Sequence, residues 1–286
     1  MSYRSSVFFR YVFAPLLAML AYIVILYAGM ALTYTLEGEA YTSHMGEVQV
    51  CGCALGVAVL TAWILIKRRL VLPGPRWALG KPYDWGFAVI GALAILGISM
   101  LYMFAMDRLP FAPVKKAMED YSSQMNEAFD YTKTEIYLSV LASCLLAPVV
   151  EEMIFRGCVL EGMLQLKHPY FSIVLSSVYF GVMHVQPIQI GYAIVSGICL
   201  GLIYYYTKNI CMSIFAHIIF NCLGSGIYLL FDVSVKADRI LLITEIASIA
   251  VFAVAAFFMA RIRNARFPDE LEESGDINKM LPGRHT

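Results

Sequence analysis

The chain has 286 residues, of which 60% are hydrophobic and only 15% are Asp, Glu, Lys or Arg, against about 25% in a typical soluble domain. With a mean hydropathy of +0.70 and so little charge, a soluble globule is excluded and an integral membrane protein is expected. The net charge is zero, so no basic surplus points to nucleic acid, and the seven cysteines, an odd number lying in apolar stretches, suggest neither a disulfide framework nor a metal cluster.

A spanning helix needs about 20 mostly apolar residues. In chain order eight candidates meet that need: Tyr11–Tyr34, Val48–Ile66, Gly86–Met106, Ile136–Gln165, Tyr170–Val185, Ile190–Tyr206, Ile210–Phe231 and Ile240–Ala260. The first follows Arg4 and Arg10 and exceeds the length of a signal-peptide core, so it reads as an uncleaved signal anchor. Within the second, Cys51-Gly-Cys53 lacks the spacing of a zinc or redox pair and reads as small helix residues.

Orientation follows from the positive charges. With the N-terminus inside, fourteen Lys and Arg residues fall in cytoplasmic segments and six outside, leaving Arg156 within a span. Both termini are therefore expected in the cytoplasm. The long connection 107–134 repeats Phe111, Val114, Met118, Tyr121, Met125 and Phe129 at steps of three and four. Such an amphipathic helix lies at a membrane interface, as a lid over a substrate entrance or as a connector on the headgroups. Together these segments predict an all-α, polytopic membrane helix bundle of about eight transmembrane helices. One catalytic transmembrane domain covers 1–266, and a polar cytoplasmic tail covers 267–286.

The fourth span carries Glu151, Glu152 and Arg156. One charge at a helix centre costs about 2.5–3.5 kcal/mol on insertion scales, so such residues face a bundle interior or wet cavity and mark function by default. Glu152 and Arg156 are four apart and can pair on one face. Glu151 sits about 100° round the helix from Glu152 and meets no cation at three or four positions. It is the carboxylate left for general-base work, with Glu152 and Arg156 holding the geometry. Pro148 frees backbone carbonyls nearby and invites a bend.

His184 and His217 lie in the fifth and seventh spans, and Asn221 follows His217 on the same face. A His and an Asn side by side can both donate to one oxygen, as an oxyanion site requires. The set reads as a hydrolase. Glu151, helped by His184, takes a proton from water, hydroxide attacks a carbonyl, and His217 and Asn221 hold the oxyanion. Cys158, two turns from Glu151, reads as a packing residue. Glu151, His184 and His217 are also the donor types of a zinc shell, but no H-E-x-x-H pair is present. Metal-free chemistry needs no cofactor, and zinc is the alternative.

One difficulty stands. Counted from the presumed cytoplasmic ends, Glu151 and His184 lie about 22–24 Å deep and His217 only about 12–14 Å. Straight, full-length helices do not bring them together. A tilt, a short fifth helix or an unwound segment is needed. Gly197 and Gly201 form a small-xxx-small pair that lets another helix approach the sixth span.

Glu151-Glu152-Met153-Ile154-Phe155-Arg156, Phe180-Gly181-Val182-Met183-His184 and His217-Ile218-Ile219-Phe220-Asn221 resemble, in order, the EExxxR, FxxxH and HxxxN motifs of the CAAX prenyl endopeptidase and bacteriocin-processing (Abi) family. The resemblance covers the motif core 151–221. It implies an eight-helix intramembrane endopeptidase in which Glu151 is catalytic, His184 shares in water activation, and His217 and Asn221 are oxyanion partners. Glutamate and zinc mechanisms have both been ascribed to the family. It also implies a multi-pass protein of the cell membrane acting on peptides or membrane proteins, in CAAX-type or leader-type processing or bacteriocin self-immunity. Two other readings use the same residues: a partner-binding immunity or regulatory protein without catalysis, and a proton-coupled transporter. The transporter lacks the internal repeat or paired broken helices expected of it.

Overall fold

The structure is a computed structural model, described here for residues 47–56, 77–127, 132–164 and 168–267 and a few isolated earlier positions. The expected first span, most of the second and the polar tail lie outside the described residues. Seven helices follow residue 81, and no strand occurs among the described residues. We label them α1 (Pro82–Arg108), α2 (Ala112–Glu127), α3 (Lys133–Leu164), α4 (Pro169–Val182), α5 (Pro187–Thr207), α6 (Ile210–Leu230) and α7 (Val235–Arg266). Five of these, α1, α3, α5, α6 and α7, are long and apolar enough to cross a membrane. The chain is thus a membrane helix bundle.

The caps sit where local chemistry puts them. Pro82 and Pro187 open α1 and α5 at positions whose N–H has no helical partner anyway. The Lys81 N–H donates to Asp84 Oδ2 at 2.8 Å, and the Thr132 N–H donates to Glu135 Oε2 at 2.7 Å at the start of α3. The Gln186 side chain accepts from the N–H groups of Ile188 and Gln189. The connection 107–134 contains the expected amphipathic helix, α2.

Two wide, π-type turns interrupt α3, at Leu141–Leu146 and Phe155–Leu160. The first precedes Pro148, whose missing N–H leaves the Cys144 carbonyl without its helical donor. The chain responds by passing the Ala147 N–H back to the Ala142 carbonyl. The second falls directly after the two glutamates and contains Arg156. Such bulges are common beside functional sites.

α5 is the central helix. Its Leu200 and Ile203 join α1, α6 and α7 through Ala88, Ile95, Met212 and Phe252, while Ala193 joins α3 and α4 through Phe155 and Phe180. In lipid the water-driven gain is absent, so close van der Waals approach must hold the helices together. Glycines supply it. A Cβ on Gly197 would lie 2.9 Å from Ser177 Cβ and one on Gly201 2.9 Å from Ile173 Cγ2, so the predicted pair is where α4 meets α5. Gly97 does the same for α1 and α7, where a Cβ would stand 2.6 Å from the Glu245 carbonyl oxygen. At one end of this seam Arg266 pairs with the fully buried Asp84 at 2.9 Å.

The depth conflict is resolved by where α6 begins. Thr207, Asn209 and Ile210 are buried, so the α5–α6 turn is recessed inside the bundle. Residues 77–81 cover it: Asn209 Nδ2 donates to the Ala78 carbonyl at 2.8 Å, and Gly80 sits against Met212. Ile210 packs in one cluster with Leu160 and Tyr204. Counting back from Leu160 to Glu152 is eight residues, and forward from Ile210 to His217 is seven. At about 1.5 Å per residue the two side chains therefore reach the same level. α4 is also short, at 14 residues, and ends before His184.

Candidate active site

The site is built from the second half of α3, the end of α4 and the middle of α6. Arg156 Nη1 donates to Glu152 Oε1 at 2.7 Å, as the four-residue spacing predicts, and both side chains are buried. Arg156 Nη2 donates to the Gly197 carbonyl of α5 at 2.9 Å. Its guanidinium carbon also lies 4.8 Å from the centre of the Phe180 ring.

His217, 3% exposed, stands between the glutamates. Its Nδ1 is 2.9 Å from Glu152 Oε1 and its Nε2 is 3.7 Å from Glu151 Oε2. An ionised carboxylate only accepts hydrogen bonds. With Glu152 ionised against Arg156, Nδ1 is the nitrogen that carries hydrogen towards it, and Nε2 is the one turned to Glu151. The 3.7 Å separation exceeds a direct hydrogen bond. Glu152 Oε2 is buried without a hydrogen-bond partner, so the favourable contacts of this carboxylate converge on a single oxygen.

The glutamates are separated by accessibility. The Glu151 side chain is 22% exposed and the Glu152 side chain fully buried. Buried Glu152 is already engaged by an arginine and a histidine. Glu151 is the one that a water molecule or a substrate can reach.

His184 lies in the turn after α4, two residues past its end. Its Nδ1 is 2.8 Å from the Phe180 carbonyl, which can only accept, so Nδ1 is the donor there and Nε2 is the nitrogen left for other partners. The next residue is strained. Val185 has φ +63°, and the Gln186 N–H reaches across it to the His184 carbonyl at 2.6 Å. A β-branched residue in that region is an outlier of the kind found at functional sites, and it closes a γ-turn of the rarer, strained sense.

Phe180 joins the two histidines: its ring centre is 4.7 Å from that of His184 and 5.8 Å from that of His217. With Arg156 on it as well, this fully buried ring orients three of the polar groups. Sequence reasoning placed Phe180 in a motif but gave it no role. Its four-residue step to His184 was the available signal. Gly197 was read as a packing residue only, and its carbonyl is also a ligand of Arg156.

Asn221 is on the His217 face of α6, but its Nδ2 donates to the Ser143 carbonyl of α3 at 2.8 Å. That bond holds the wide turn of α3 against α6. Among the described residues, no three His, Cys, Asp or Glu side chains are grouped so as to hold a metal ion. Glu151, His184 and His217 do not form such a group here.

Beyond His184 a cleft of about 510 Å³ opens between α2 and the α4–α5 turn. Lys116, Asp120 and Gln124 line one wall, and His184, Gln186 and Pro187 the other.

Residues 133–223, from the start of α3 into α6, match the family described as type II CAAX prenyl endopeptidase Rce1-like. The chain is also similar to a Bacillus subtilis (strain 168) protein described as "Putative membrane peptidase YdiL", with 23% identity over 169 residues. That alignment covers 58% of this chain and 64% of the relative, just under two thirds of its length. No solved structure gives a significant match. The glutamates, Arg156, both histidines and Asn221 all fall within the segment that is similar to that family.

Proposed function

We propose that the protein is a CAAX-type intramembrane endopeptidase that hydrolyses peptide bonds of membrane-associated or lipidated peptides with water activated by Glu151. The observation that carries this reading is the division of the glutamates, one sealed among Arg156 and His217 and the other open beside His217 Nε2.

In this reading a water proton passes to Glu151 while the water oxygen bonds to the substrate carbonyl carbon, and the carbonyl π electrons move onto its oxygen. His184 Nε2 accepts from the same water and aligns it. Imidazolium at His217, supported through Nδ1 by Glu152, donates from Nε2 to the oxyanion. Glu151 then returns its proton to the amide nitrogen, the C–N bond breaks, and a carboxylic acid and an amine leave. Asn221 acts as a second oxyanion donor when its bond to the Ser143 carbonyl is exchanged for the substrate. The sealed pair of Glu152 and Arg156 keeps His217 oriented throughout.

The test is cleavage of fluorogenic peptides by the protein purified in detergent and treated with EDTA, including a lipidated C-terminal peptide and leader-type Gly-Gly peptides. Wild type is compared with Glu151→Gln and His184→Ala, with and without zinc. Cleavage by wild type alone, indifferent to chelation, is expected. Cleavage by Glu151→Gln at the wild-type rate would refute the mechanism, and cleavage that only zinc restores would replace it with a metal one.

A further inference from the structure

One polar atom at the buried centre of the bundle is left unsatisfied. Glu152 Oε2 is the only buried side-chain nitrogen or oxygen among the described residues that lacks a hydrogen-bond partner. Arg156 and His217 both bond the other oxygen, Oε1. An ionised carboxylate has acceptor sites on both oxygens, and leaving a buried one unpaired is costly enough that folded proteins rarely do so. A donor stands beside it. Ser213 of α6 is fully buried, one helical turn before His217, and its hydroxyl faces the Glu152 carboxylate.

In the structure the Ser213 hydroxyl donates to the Ile210 carbonyl at 3.0 Å. Ile210 is the first residue of α6, so the helix already supplies that carbonyl with a backbone donor four residues on. The serine bond is a second one, and losing it strands no backbone group. A bond from the same hydroxyl to an ionised carboxylate is about twice as strong as one to a neutral carbonyl. It would also fix the plane of the carboxylate. Held by one oxygen, a carboxylate turns easily about its last side-chain bond, and Oε1 drifts relative to His217 Nδ1. Held by both oxygens, it has one orientation. Ser213 and His217 are four residues apart on one face of α6, so the helix position that brings His217 to Glu152 brings the serine with it.

We propose that Ser213 is a positioning residue of the site: its hydroxyl turns from the Ile210 carbonyl to Glu152 Oε2 and, with Arg156 and His217 on Oε1, locks the carboxylate that orients His217. This rests on the endopeptidase reading and adds a residue to it. Fully buried, Ser213 meets neither water nor substrate. It acts through Glu152 on the aim of His217 Nε2. The bond matters most when His217 carries the positive charge that faces the oxyanion, because Glu152 is then the counter-charge that holds the ring in place.

The experiment has one readout that does not depend on turnover. Full-length protein labelled with 15N-histidine is reconstituted in liposomes and studied by magic-angle-spinning NMR. The chain has five histidines, and the His217 Nδ1 signal is the one lost in His217→Gln. In Ser213→Ala this signal is expected to shift and broaden, as the ring takes more than one orientation. In the peptide-cleavage assay the same variant is expected to lose about tenfold in kcat, the size of one hydrogen bond to a charged group, with KM unchanged. Ser213→Cys, nearly the same size but a weak donor, falls between serine and alanine in both readouts. Ser248→Ala removes a bond of the same back-bonded kind on α7 and changes neither. A serine bonded only to its own helix predicts the opposite for Ser213→Ala: alanine is the better helix former, and both readouts stay at wild-type values. An unchanged Nδ1 signal in Ser213→Ala, a shift shared by Ser248→Ala, or a kcat within about twofold of wild type overturns the proposal. An Nδ1 signal that moves in Ser213→Ala while wild type cleaves nothing removes the endopeptidase reading and leaves the serine bond standing. Melting temperatures are measured alongside, and Ser213→Ala keeps that of wild type to within a few degrees.

Discussion

Replacing Arg156 with Met tests whether the buried pair holds the site together. Met keeps most of the side-chain length and removes the charge. Glu152 is then left fully buried, with His217 still beside it but no cation paired on its own helix. Breaking a buried ion pair from one side costs about 3–5 kcal/mol, because the surviving charge is neither hydrated nor neutralised. The Gly197 carbonyl also loses its donor, within the same range. In the double variant Arg156→Met/Glu152→Gln no buried charge is stranded, and a Gln oxygen still accepts from His217 Nδ1. The double variant is therefore expected to recover about 2–3 kcal/mol relative to Arg156→Met alone, a coupling of the size found for contacting residues. Unfolding of the detergent-solubilised protein by titration with SDS, followed by far-UV circular dichroism, supplies the four corners of the cycle. An Arg156→Met protein within about 1 kcal/mol of wild type, or a double variant no better than the single, would refute the assignment of this pair as a buried, mutually dependent unit.

Four further outcomes follow from the same geometry. Glu151→Gln lowers peptide cleavage by at least about a hundredfold, the range for a lost general base, while its melting temperature stays near wild type, because Glu151 is part-exposed and outside the buried pair. Gly197→Ala pushes a methyl into Ser177 of α4 and is expected to destabilise by about 1–3 kcal/mol in the same SDS titration. Asn209→Ala removes both the α6 cap and the tie to Ala78, lowering stability by about 1–2 kcal/mol. Val185→Gly releases backbone strain of order 1–3 kcal/mol but frees the His184 turn, so it raises or preserves the melting temperature while kcat falls several-fold; unchanged kcat would mean that the turn does not position His184.

The helices were legible because uninterrupted apolar runs leave few alternatives, and the ends moved only to the nearest cap. The expected fifth span, for instance, stops at Val182 because the chain turns through His184 and Val185. Charges inside those runs marked Glu151, Glu152, Arg156 and His217 for the same reason, since nothing but function or a buried network explains them. Spacing along one helix correctly paired Glu152 with Arg156. It could not pair His217 with Glu152, because that contact belongs to two helices and depends on their relative height.

That height is set by residues that carry no chemistry of their own. One helical turn is about 5.4 Å, so sliding α6 by a single turn would take His217 Nδ1 well beyond reach of Glu152 Oε1. What prevents the slide is Ile210 packed with Leu160 and Tyr204, and Asn209 tied to Ala78. Counting from helix ends set His217 apart from Glu151 because it took the start of α6 to be level with the other helix ends, whereas the turn before it is buried. Phe180 shows the same limit from the other side. Its motif spacing was visible, but its contact with Arg156 and both histidines arises only when α3, α4 and α6 meet. The charged and imidazole groups of the candidate site can thus be read from the chain as anomalies, while the residues that align them look like ordinary core and are recognised only by what they hold in register.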